Sequence, residues 1–346
     1  MKRLHRKPRH LIWVALLLLC GLVLPSQAAE KGRFLGAKET VYPDWFKESF
    51  LDLREDIREA ADRGRRVVIF FHQDGCPYCN LMVERNLSQK EISDLLQQKM
   101  EVIEINMFGD REVTGLNGQT TTEKAFAAAM RVQFTPTLLF FDEGGRVILR
   151  LNGYLPPQNF KLALDYVTGR KEETIFYRDY LVQNRPAEPE GALNHQTFFM
   201  LPPFDLEKRA GRPLIVLFEQ IQCPNCDRLH RELLSDPAIR ALLGHYDVVQ
   251  LDMWSSTPLV TANGERTDAR AWARQLKVNF APTLILFDSE GKEIIRSEAM
   301  FKRFHTESLL DYGRNDAYRK EPSFQRFLSA RSERIREQGR DVDIWR

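Results

Sequence analysis

The sequence predicts an α/β protein made of two tandem domains of the same construction. Two cysteine motifs, Cys76-Pro-Tyr-Cys79 and Cys223-Pro-Asn-Cys226, begin 147 residues apart. Each follows a β-branched and aromatic run, at 66–71 or 213–218, and precedes a stretch of helical periodicity. A Pro-Thr-Leu sequence follows the second cysteine of each motif, after 57 residues in the first copy and 56 in the second. Strand, Cys-Pro-x-Cys, helix and a distant proline together indicate a dithiol redox site, present twice.

The repeat extends beyond the cysteines at an offset of 146 or 147 residues. Residues 134–142 read Phe-Thr-Pro-Thr-Leu-Leu-Phe-Phe-Asp, and 280–288 read Phe-Ala-Pro-Thr-Leu-Ile-Leu-Phe-Asp. Two copies at so long a period favour duplicated domains over a solenoid, whose repeats are about 20–50 residues long.

Residues 1–28 are typical of a signal peptide, with a basic start, a 14-residue apolar core at 11–24 and small residues before Ala29. The apolar core is short for a spanning helix, which needs about 20 residues; an uncleaved inner-membrane anchor is the alternative. We therefore divide the chain into a signal peptide (1–28), a first domain (29–183), a linker (184–203) and a second domain (204–346).

Cleavage of this peptide changes two counts. Lys+Arg falls from 50 to 45 while Asp+Glu stays at 48, so the net charge becomes about −3 and no basic bias towards nucleic acid remains. Four cysteines remain, all in the two motifs. Cysteines used in this way are expected to do chemistry or form very local bridges, rather than to staple distant parts of an exported protein.

Within the first domain, Trp45, Phe46, Phe50 and Leu53 recur at helical spacing and predict a first helix. Asn117-Gly118 indicates a hairpin turn. The predicted elements are helix 43–63, strand 66–72, motif helix 76–87, helix 90–98, strand 101–107, an insertion at 108–120, helix 121–131, strands 137–142 and 146–152, and helices 157–168 and 172–183.

The second domain repeats this order. Its predicted elements are helix 204–210, strand 213–219, a motif helix from 223, strand 247–253, an insertion at 254–266, helix 267–277, strands 283–288 and 292–297, helix 305–313 and a charged tail at 321–338. The tail aligns with 172–183. Its aromatic stripe, with Phe324 in place of Tyr177, is expected to pack on its own domain.

A thiolate, not a thiol, attacks a disulfide, and a helix start favours the thiolate through its dipole and unpaired N–H groups. We therefore expect Cys76 and Cys223 to be the exposed attackers. One helical turn later, Cys79 and Cys226 would resolve the mixed disulfide.

Pro136 and Pro282 open apolar strands, where proline is tolerated. A cis proline there could expose backbone groups beside the sulfurs for an extended substrate. With Thr135 and Ala281, which precede them, these prolines are the candidate substrate-binding loops.

Both halves resemble the thioredoxin superfamily, in particular SoxW-type periplasmic thioredoxins and the soluble thioredoxin domain of the DsbD electron transporter. The resemblance rests on 71–79 with 135–137 and on 219–226 with 281–283. It implies a central mixed β-sheet flanked by helices, a cysteine motif at a helix N-terminus, cis prolines at Pro136 and Pro282, and a reductase or electron relay in preference to an oxidase or isomerase.

The chain departs from thioredoxin where thioredoxin has a buried acid, six residues before the first cysteine. Phe70 and Leu217 stand there. His72 and Glu219, four residues before each first cysteine, are the nearest substitutes and the candidate proton acceptors. Otherwise, each would cap a strand end.

Three function classes remain open. The first is an exported, periplasmic thiol–disulfide oxidoreductase with no cofactor beyond its disulfides, acting on proteins with thiols or disulfides and reduced by a DsbD-type membrane donor. The second is a copper- or zinc-handling protein. His230 lies one turn after Cys226, but we expect it on the helix surface. The third is a binding module with structural disulfides.

Overall fold

The computed structural model describes residues 30–184, 191–209, 211–298 and 301–345, so the predicted signal peptide at 1–28 lies outside the described residues. Within these ranges the chain forms two domains, each built on a four-stranded sheet. No helix in these ranges has the length and apolar character needed to cross a membrane.

The first domain follows the predicted order of elements closely. Its elements are β1 (Phe34–Leu35), α1 (Leu53–Asp62), β2 (Arg66–His72), α2 (Pro77–Met82), α3 (Lys90–Lys99), β3 (Met100–Asn106), β4 (Glu112–Thr114), β5 (Thr120–Thr122), α4 (Glu123–Ala129), β6 (Thr137–Phe141), β7 (Val147–Asn152), α5 (Pro157–Thr168) and α6 (Tyr177–Gln183). A π-helical segment, Val83–Leu87, continues α2, and a 3₁₀ turn, Lys171–Glu173, precedes α6.

The second domain repeats the pattern and adds a C-terminal extension. Its elements are β8 (Phe204–Asp205), β9 (Leu214–Glu219), α7 (Pro224–Arg228), α8 (Pro237–Leu243), β10 (Asp247–Asp252), β11 (Pro258–Val260), β12 (Arg266–Asp268), α9 (Ala269–Gln275), β13 (Thr283–Phe287), β14 (Glu293–Ser297), α10 (Arg303–Arg314), α11 (Ala317–Lys320), α12 (Phe324–Glu337) and β15 (Val342–Asp343). A π-helical segment, Leu229–Leu234, continues α7.

The two main sheets have the same topology, and both are mixed. Strand order is β3-β2-β6-β7 in the first domain and β10-β9-β13-β14 in the second. In each, the first two strands run parallel and the other pairs are antiparallel. The predicted mixed α/β architecture in two tandem copies is therefore confirmed.

Strand β2 is buried on both faces, as its continuous apolar run predicts. Val68 and Phe70 belong to the core layer beneath α2, α3 and α5, whereas Ile69 and Phe71 belong to the layer beneath α1 and α4. Strand β9 separates two core layers in the same way. Each motif helix therefore starts from the end of a rigid central strand.

The predicted helix over 43–63 is wrong in its first half. Helix α1 begins at Leu53 because Asp52 is its N-cap, accepting the N–H groups of Arg54 and Glu55. Leu51 adopts a left-handed φ of +61°, and Phe50 is fully exposed. The helical spacing of the aromatic residues before Leu53 was therefore coincidental.

The predicted helix over 204–210 is also wrong. The backbone there joins a sheet: β8 runs parallel to β11, and the Leu206 N–H bonds the Val260 carbonyl. The carboxylate of Asp205 accepts the Lys208 N–H, which offers the backbone an alternative to helical bonding. The helix predicted over 172–183 is shorter than expected, since α6 begins at Tyr177.

The two domains contact each other through corresponding residues. Phe280 packs on Tyr177 of α6, with ring centroids 6.0 Å apart, and its counterpart Phe134 packs on Phe324 of α12 at 5.6 Å. The aromatic stripes of these helices thus pack on both domains, not only on their own as predicted. Because the contact recurs with the partners exchanged, the domains are related by an approximate twofold axis.

Residues 32–35, ahead of the main sheet of the first domain, are joined to the C-terminal extension of the second domain. Strand β1 pairs in parallel with β15, and Arg33 forms an ion pair with Asp341 at 2.6 Å. The Arg336 guanidinium donates to the Gly32 carbonyl at 2.8 Å. Part of the predicted linker also packs on the second domain, where Phe199 is buried in the core. The N-terminal segment is therefore held by the C-terminal extension.

We expect the interdomain aromatic contact to contribute strongly to stability. Phe324→Ala removes a fully buried ring and should cost about 3–5 kcal/mol of unfolding free energy, because the surrounding side chains fill the cavity only in part. Phe50→Ala, at a fully exposed ring, is the matched control and should change stability by less than about 0.5 kcal/mol. Equal denaturation midpoints for the two variants would contradict the proposed packing.

Candidate functional site

The first cysteine pair lies where β2 ends and α2 begins. Gly75 has a φ of +69°, a left-handed conformation that glycine adopts readily, and it turns the chain towards the helix. Cys76 is the N-cap of α2, and its Sγ accepts the Cys79 backbone N–H at 3.1 Å. Pro77 occupies the first helical position, where no N–H is needed. The two cysteines form a disulfide with Cα atoms 5.3 Å apart.

The second pair repeats this geometry. Cys223 is the N-cap of α7, and its Sγ accepts the Cys226 N–H at 3.1 Å. The Cα atoms of this disulfide are 5.1 Å apart. Gln222 takes the place of the glycine and has a φ of +55°, an uncommon conformation for a residue with a side chain. The left-handed turn is therefore kept even where the glycine is lost.

The two proline loops are fixed by matching hydrogen bonds. The Thr137 hydroxyl donates to the Phe134 carbonyl at 2.8 Å, and the Thr283 hydroxyl donates to the Phe280 carbonyl at 2.7 Å. Between these residues, the Thr135–Pro136 and Ala281–Pro282 peptide bonds are both cis, as the family resemblance implies.

In the second domain the proline loop lies beside the sulfur of the first cysteine. The Ala281 carbonyl oxygen is 3.6 Å from the Cys223 Sγ. Pro282 and Asn225 line one small cavity together with residues 154–156 of the first domain. This loop therefore meets both the cysteine motif and the neighbouring domain.

Neither first cysteine is exposed, which corrects the expectation that both would be. Cys76 is 2% exposed and Cys223 is 5% exposed. The expectation treated each domain alone, whereas each motif in fact lies at the surface where the two domains meet. The sequence of one repeat carries no information about this packing.

Tyr78, between the first two cysteines, is held by the second domain. Its hydroxyl accepts the Lys302 N–H at 3.1 Å, and its ring contacts those of Phe301, His305 and Trp345. Burial raises the pKa of Tyr78 to about 12. The middle residue of the first motif is therefore an anchor between the domains.

His72 ends β2 and pairs with a carboxylate of the neighbouring strand. Its Nε2 hydrogen-bonds the Glu104 carboxylate, which also pairs with Arg111 at 2.8 Å, and the Tyr42 ring lies 4.8 Å from the imidazole. Burial alone would raise the pKa of Glu104, but the hydrogen bond and charge of His72, together with Arg111, bring it below its usual range. This site therefore favours an ionised carboxylate.

Glu219, at the corresponding end of β9, is completely buried. Both of its oxygens lie 3.1 Å from the His230 Nε2, and one also accepts from the Gln250 amide at 2.5 Å. The His230 Nδ1 is 3.2 Å from the Gln196 amide nitrogen. His230 is only 5% exposed, so the expectation that it lies on the helix surface is wrong.

A histidine–carboxylate pair thus forms in each domain, but the strand end supplies the histidine in the first and the carboxylate in the second. His72 and Glu219 both stand four residues before the first cysteine. Because side chains alternate along a strand, they share the face of Phe70 and Leu217, which pack in the core layers beneath the motif helices. Both pairs therefore lie on the motif side of their sheets.

The described residues do not come together as a metal site. Among the residues in the described ranges, no group of three or more His, Cys, Asp or Glu side chains could hold a metal ion. His230, the histidine considered as a ligand with Cys226, faces Glu219 instead.

Several residues of the site were missed from the sequence. The anchoring role of Tyr78 could not be predicted from the motif, because the residues that it contacts belong to the other domain. Glu104 and Gln250 occupy equivalent positions, 146 residues apart. The repeat could therefore have suggested that Glu104 contacts His72 and that Gln250 contacts Glu219. Thr137 and Thr283 lay within the repeated Pro-Thr-Leu and could have been assigned to holding the proline loops.

The sequence model of the thioredoxin-like domain family matches the chain twice, over residues 53–168 and 205–314. No curated protein sequence matches the chain. Among solved structures, a thioredoxin-fold protein from Helicobacter pylori is 21% identical, with 40% of this chain and 92% of that chain covered and a TM-score of 0.31.

Two further solved structures give similar figures. A thioredoxin from Thermus thermophilus is 25% identical, with 40% of this chain and 87% of that chain covered and a TM-score of 0.27. The reduced C-terminal domain of DsbD from Neisseria meningitidis is 16% identical, with 33% of this chain and 93% of that chain covered and a TM-score of 0.25.

We expect the buried Glu219–His230 pair to be strongly coupled. Glu219→Leu or His230→Leu alone leaves a buried polar partner unpaired and should cost about 3 kcal/mol or more. The double variant should cost less than the two single costs combined, by about 1–3 kcal/mol. Chemical denaturation of all four proteins measures this coupling.

The exposed Glu55–Arg58 pair on α1 is the control for this cycle. Water screens its charges, so we expect a coupling of only about 0.3–0.5 kcal/mol there. Strictly additive costs at Glu219 and His230 would contradict the pairing described above.

His305, beside Tyr78, should make the domain contact sensitive to acid. Burial lowers the pKa of His305 to about 4, whereas an unfolded histidine titrates near about 6.5. Between these two pH values the unfolded chain binds a proton at His305 that the folded chain does not. The contribution of neutral His305 to the free energy of unfolding is therefore fully present above about pH 6.5 and decreases as the pH falls towards 4.

The test compares urea midpoints of the unchanged protein and His305→Leu at about pH 7.5 and 4.5. The unchanged protein should lose about 2–3 kcal/mol more than the variant over this interval. An identical acid sensitivity in the two proteins would show that His305 does not titrate in this way.

Proposed function

The chain belongs to the family of thioredoxin-like domains and is a thiol–disulfide oxidoreductase, and we propose that it is exported and works as a reductase or electron relay. One observation, which recurs in both domains, supports the exchange chemistry itself: the sulfur of the first cysteine receives the N–H of the second at a helix start. In the reduced protein this donor and the helix dipole stabilise a thiolate on Cys76 and on Cys223.

The proposed reaction transfers two electrons by thiol–disulfide exchange. The Cys76 thiolate attacks one sulfur of a substrate disulfide, which forms a mixed disulfide and releases the other substrate sulfur as a thiolate. The Cys79 thiolate then attacks the Cys76 sulfur, which closes the Cys76–Cys79 disulfide and releases the second substrate thiolate. A donor dithiol reduces the pair again by the reverse steps. Cys223 and Cys226 would act in the same way.

The histidine–carboxylate pairs are the proposed proton acceptors. His72 with Glu104, and Glu219 with His230, lie on the motif side of each sheet. In this role each pair would accept the proton of the second cysteine, which must become a thiolate before it can resolve the mixed disulfide. Thr135–Pro136 and Ala281–Pro282 would offer backbone groups to the substrate, and the 3.6 Å approach of the Ala281 carbonyl to Cys223 supports this for the second domain.

Export is supported by the N-terminal sequence, which has a basic start followed by the apolar core at 11–24. The confinement of the four remaining cysteines to two adjacent pairs fits a periplasmic redox protein, with an inner-membrane anchored form as the alternative. The resemblance to SoxW-type thioredoxins and to the DsbD domain favours reduction, and a DsbD-type membrane protein is the proposed donor. The two disulfides are the proposed redox centres, with no added cofactor.

Substrate access requires a rearrangement in this scheme. Both first cysteines are buried, and Tyr78 is anchored in the second domain. A protein disulfide would therefore reach Cys76 only after Tyr78 leaves Phe301 and Trp345. The proposed working cycle includes partial separation of the two domains.

The redox potential of each pair tests the proposal. Cys76→Ser with Cys79→Ser leaves only the second pair, and Cys223→Ser with Cys226→Ser leaves only the first. Equilibration in dithiothreitol or glutathione buffers should give midpoints near about −270 mV, the value of a thioredoxin-type reductant. Thiol alkylation followed by mass spectrometry measures the reduced fraction.

The variant with all four serines is the control and should show no transition. Midpoints near about −120 mV, typical of a strong oxidant, would overturn the proposed direction while leaving the oxidoreductase class intact. A pair with no reversible transition would be a structural disulfide, and its domain would then act as a binding module.

A further inference from the structure

A cleft between the domains runs along the outer strand of the first sheet. Its volume is about 770 Å³, within the range of ligand sites, and such sites are common where domains meet. Four consecutive residues of β7, 147–150, line it, followed by Asn152. Since side chains of a strand alternate between faces, consecutive lining means that the cleft meets β7 at its edge. We name it the β7 cleft.

The register of β7 shows which backbone groups point into this cleft. Gly153 donates to the Pro136 carbonyl at 2.7 Å, and hydrogen-bonded pairs alternate along an antiparallel ladder. Leu149 and Leu151 therefore bond inward to β6, while Arg150 and Asn152 direct their N–H and C=O groups outward. In the described ranges no other backbone group bonds these outward groups. The edge is thus open to another strand.

The lining of the β7 cleft is strongly cationic. It holds one carboxylate, Glu298, and six cationic side chains: Arg131, Arg150, Arg178, Arg274, Lys277 and Arg296. Arg274 and Arg296 have acidic partners, but Arg131, Arg150 and Lys277 form no ion pair with any described residue. Burial lowers the pKa of Arg150, the charge of Glu298 opposes this shift, and repulsion from Arg131 adds a smaller lowering. Arg131 and Lys277 are both exposed, so an added anion would be able to reach them.

Apolar and polar groups accompany the charges. Val147 is 42% exposed and Phe176 is 73% exposed, so both could cover side chains of an incoming chain. Asn152 adds a polar group: it lines the cleft, and its side-chain amide donates to the Glu298 carboxylate at 2.8 Å.

We propose that the β7 cleft binds an extended acidic peptide, which pairs with the β7 edge as an added strand. Its backbone would bond the outward groups of Arg150 and Asn152, and its acidic side chains would face Arg131 and Lys277. This binding needs no redox chemistry and stands apart from the proposed function. It assigns to the cleft a partner class, acidic protein segments in extended conformation.

The test uses the full oxidised protein and the peptide acetyl-Val-Glu-Val-Glu-Val-Glu-amide, with binding followed by calorimetry. We expect saturable 1:1 binding that weakens with added salt, because exposed charges are screened. The lysine analogue, acetyl-Val-Lys-Val-Lys-Val-Lys-amide, should not bind. An N-methylated form of the acidic peptide keeps the charge but cannot donate backbone hydrogen bonds, and it should bind about tenfold or more weakly.

Two matched variants separate the cleft from general surface charge. Arg131→Glu with Lys277→Glu reverses two exposed charges of the cleft and should weaken binding about tenfold or more. Lys99→Glu with Lys320→Glu makes the same change of net charge outside the cleft and should leave binding within about twofold. Thermal midpoints of the two variants check that both remain folded.

Three outcomes would overturn the proposal. They are an absence of saturable binding, equal binding of the N-methylated peptide, and equal binding by the cleft-reversed protein. Cysteine-free protein should bind the peptide as the oxidised protein does, so failure of the redox proposal would leave this result unchanged.

Discussion

The contact between the first cysteine sulfur and the second cysteine N–H is the interaction on which each redox site depends. It requires a central strand that is buried on both faces and a residue with a left-handed backbone conformation just before the first cysteine. It also requires a helix whose N-cap is that cysteine. Gly75 meets the second requirement at little cost, whereas Gln222 meets it against the preference of a residue with a side chain. Retention of this conformation without glycine indicates that the local geometry is set by the packing of the strand and helix around it.

The same surface serves as redox site and as domain interface. Phe134 and Phe280 stand directly before the two proline loops, and each packs on the C-terminal helix of the opposite domain. Under the proposed function, domain association and substrate access would therefore compete for one area. A conventional substrate-binding loop would lie open to solvent, whereas here the neighbouring domain occupies that place. Because the contacts recur with the partners exchanged, the same competition would apply to both sites in the proposed cycle.

Much of the fold follows from the sequence because its signals are local. The repeated apolar strands, the proline and turn residues, and the two Cys-Pro-x-Cys motifs predict two mixed sheets in tandem. The errors arose where a local pattern competed with tertiary structure. The aromatic residues before Asp52 have helical spacing, but the helix begins only after Asp52, its N-cap. The backbone at 204–206 bonds to β11 as a strand instead of forming the predicted helix. The cysteines could be assigned to sites, but their burial could not, because the residues that anchor Tyr78 come from more than 200 positions away.

Duplication preserved the layout of the site while its charges changed. In the first domain the histidine ends the central strand and the carboxylate, Glu104, comes from the neighbouring strand. In the second domain Glu219 takes the place of that histidine, and His230 supplies the imidazole from the helix. Gln250, at the position equivalent to Glu104, carries no charge, so only one carboxylate is placed against the imidazole in each domain. A second carboxylate there would add like-charge repulsion in a buried setting, which is costly. The requirement that survives in both copies is therefore one histidine with one carboxylate on the motif side of the sheet, whichever strand position supplies each of them.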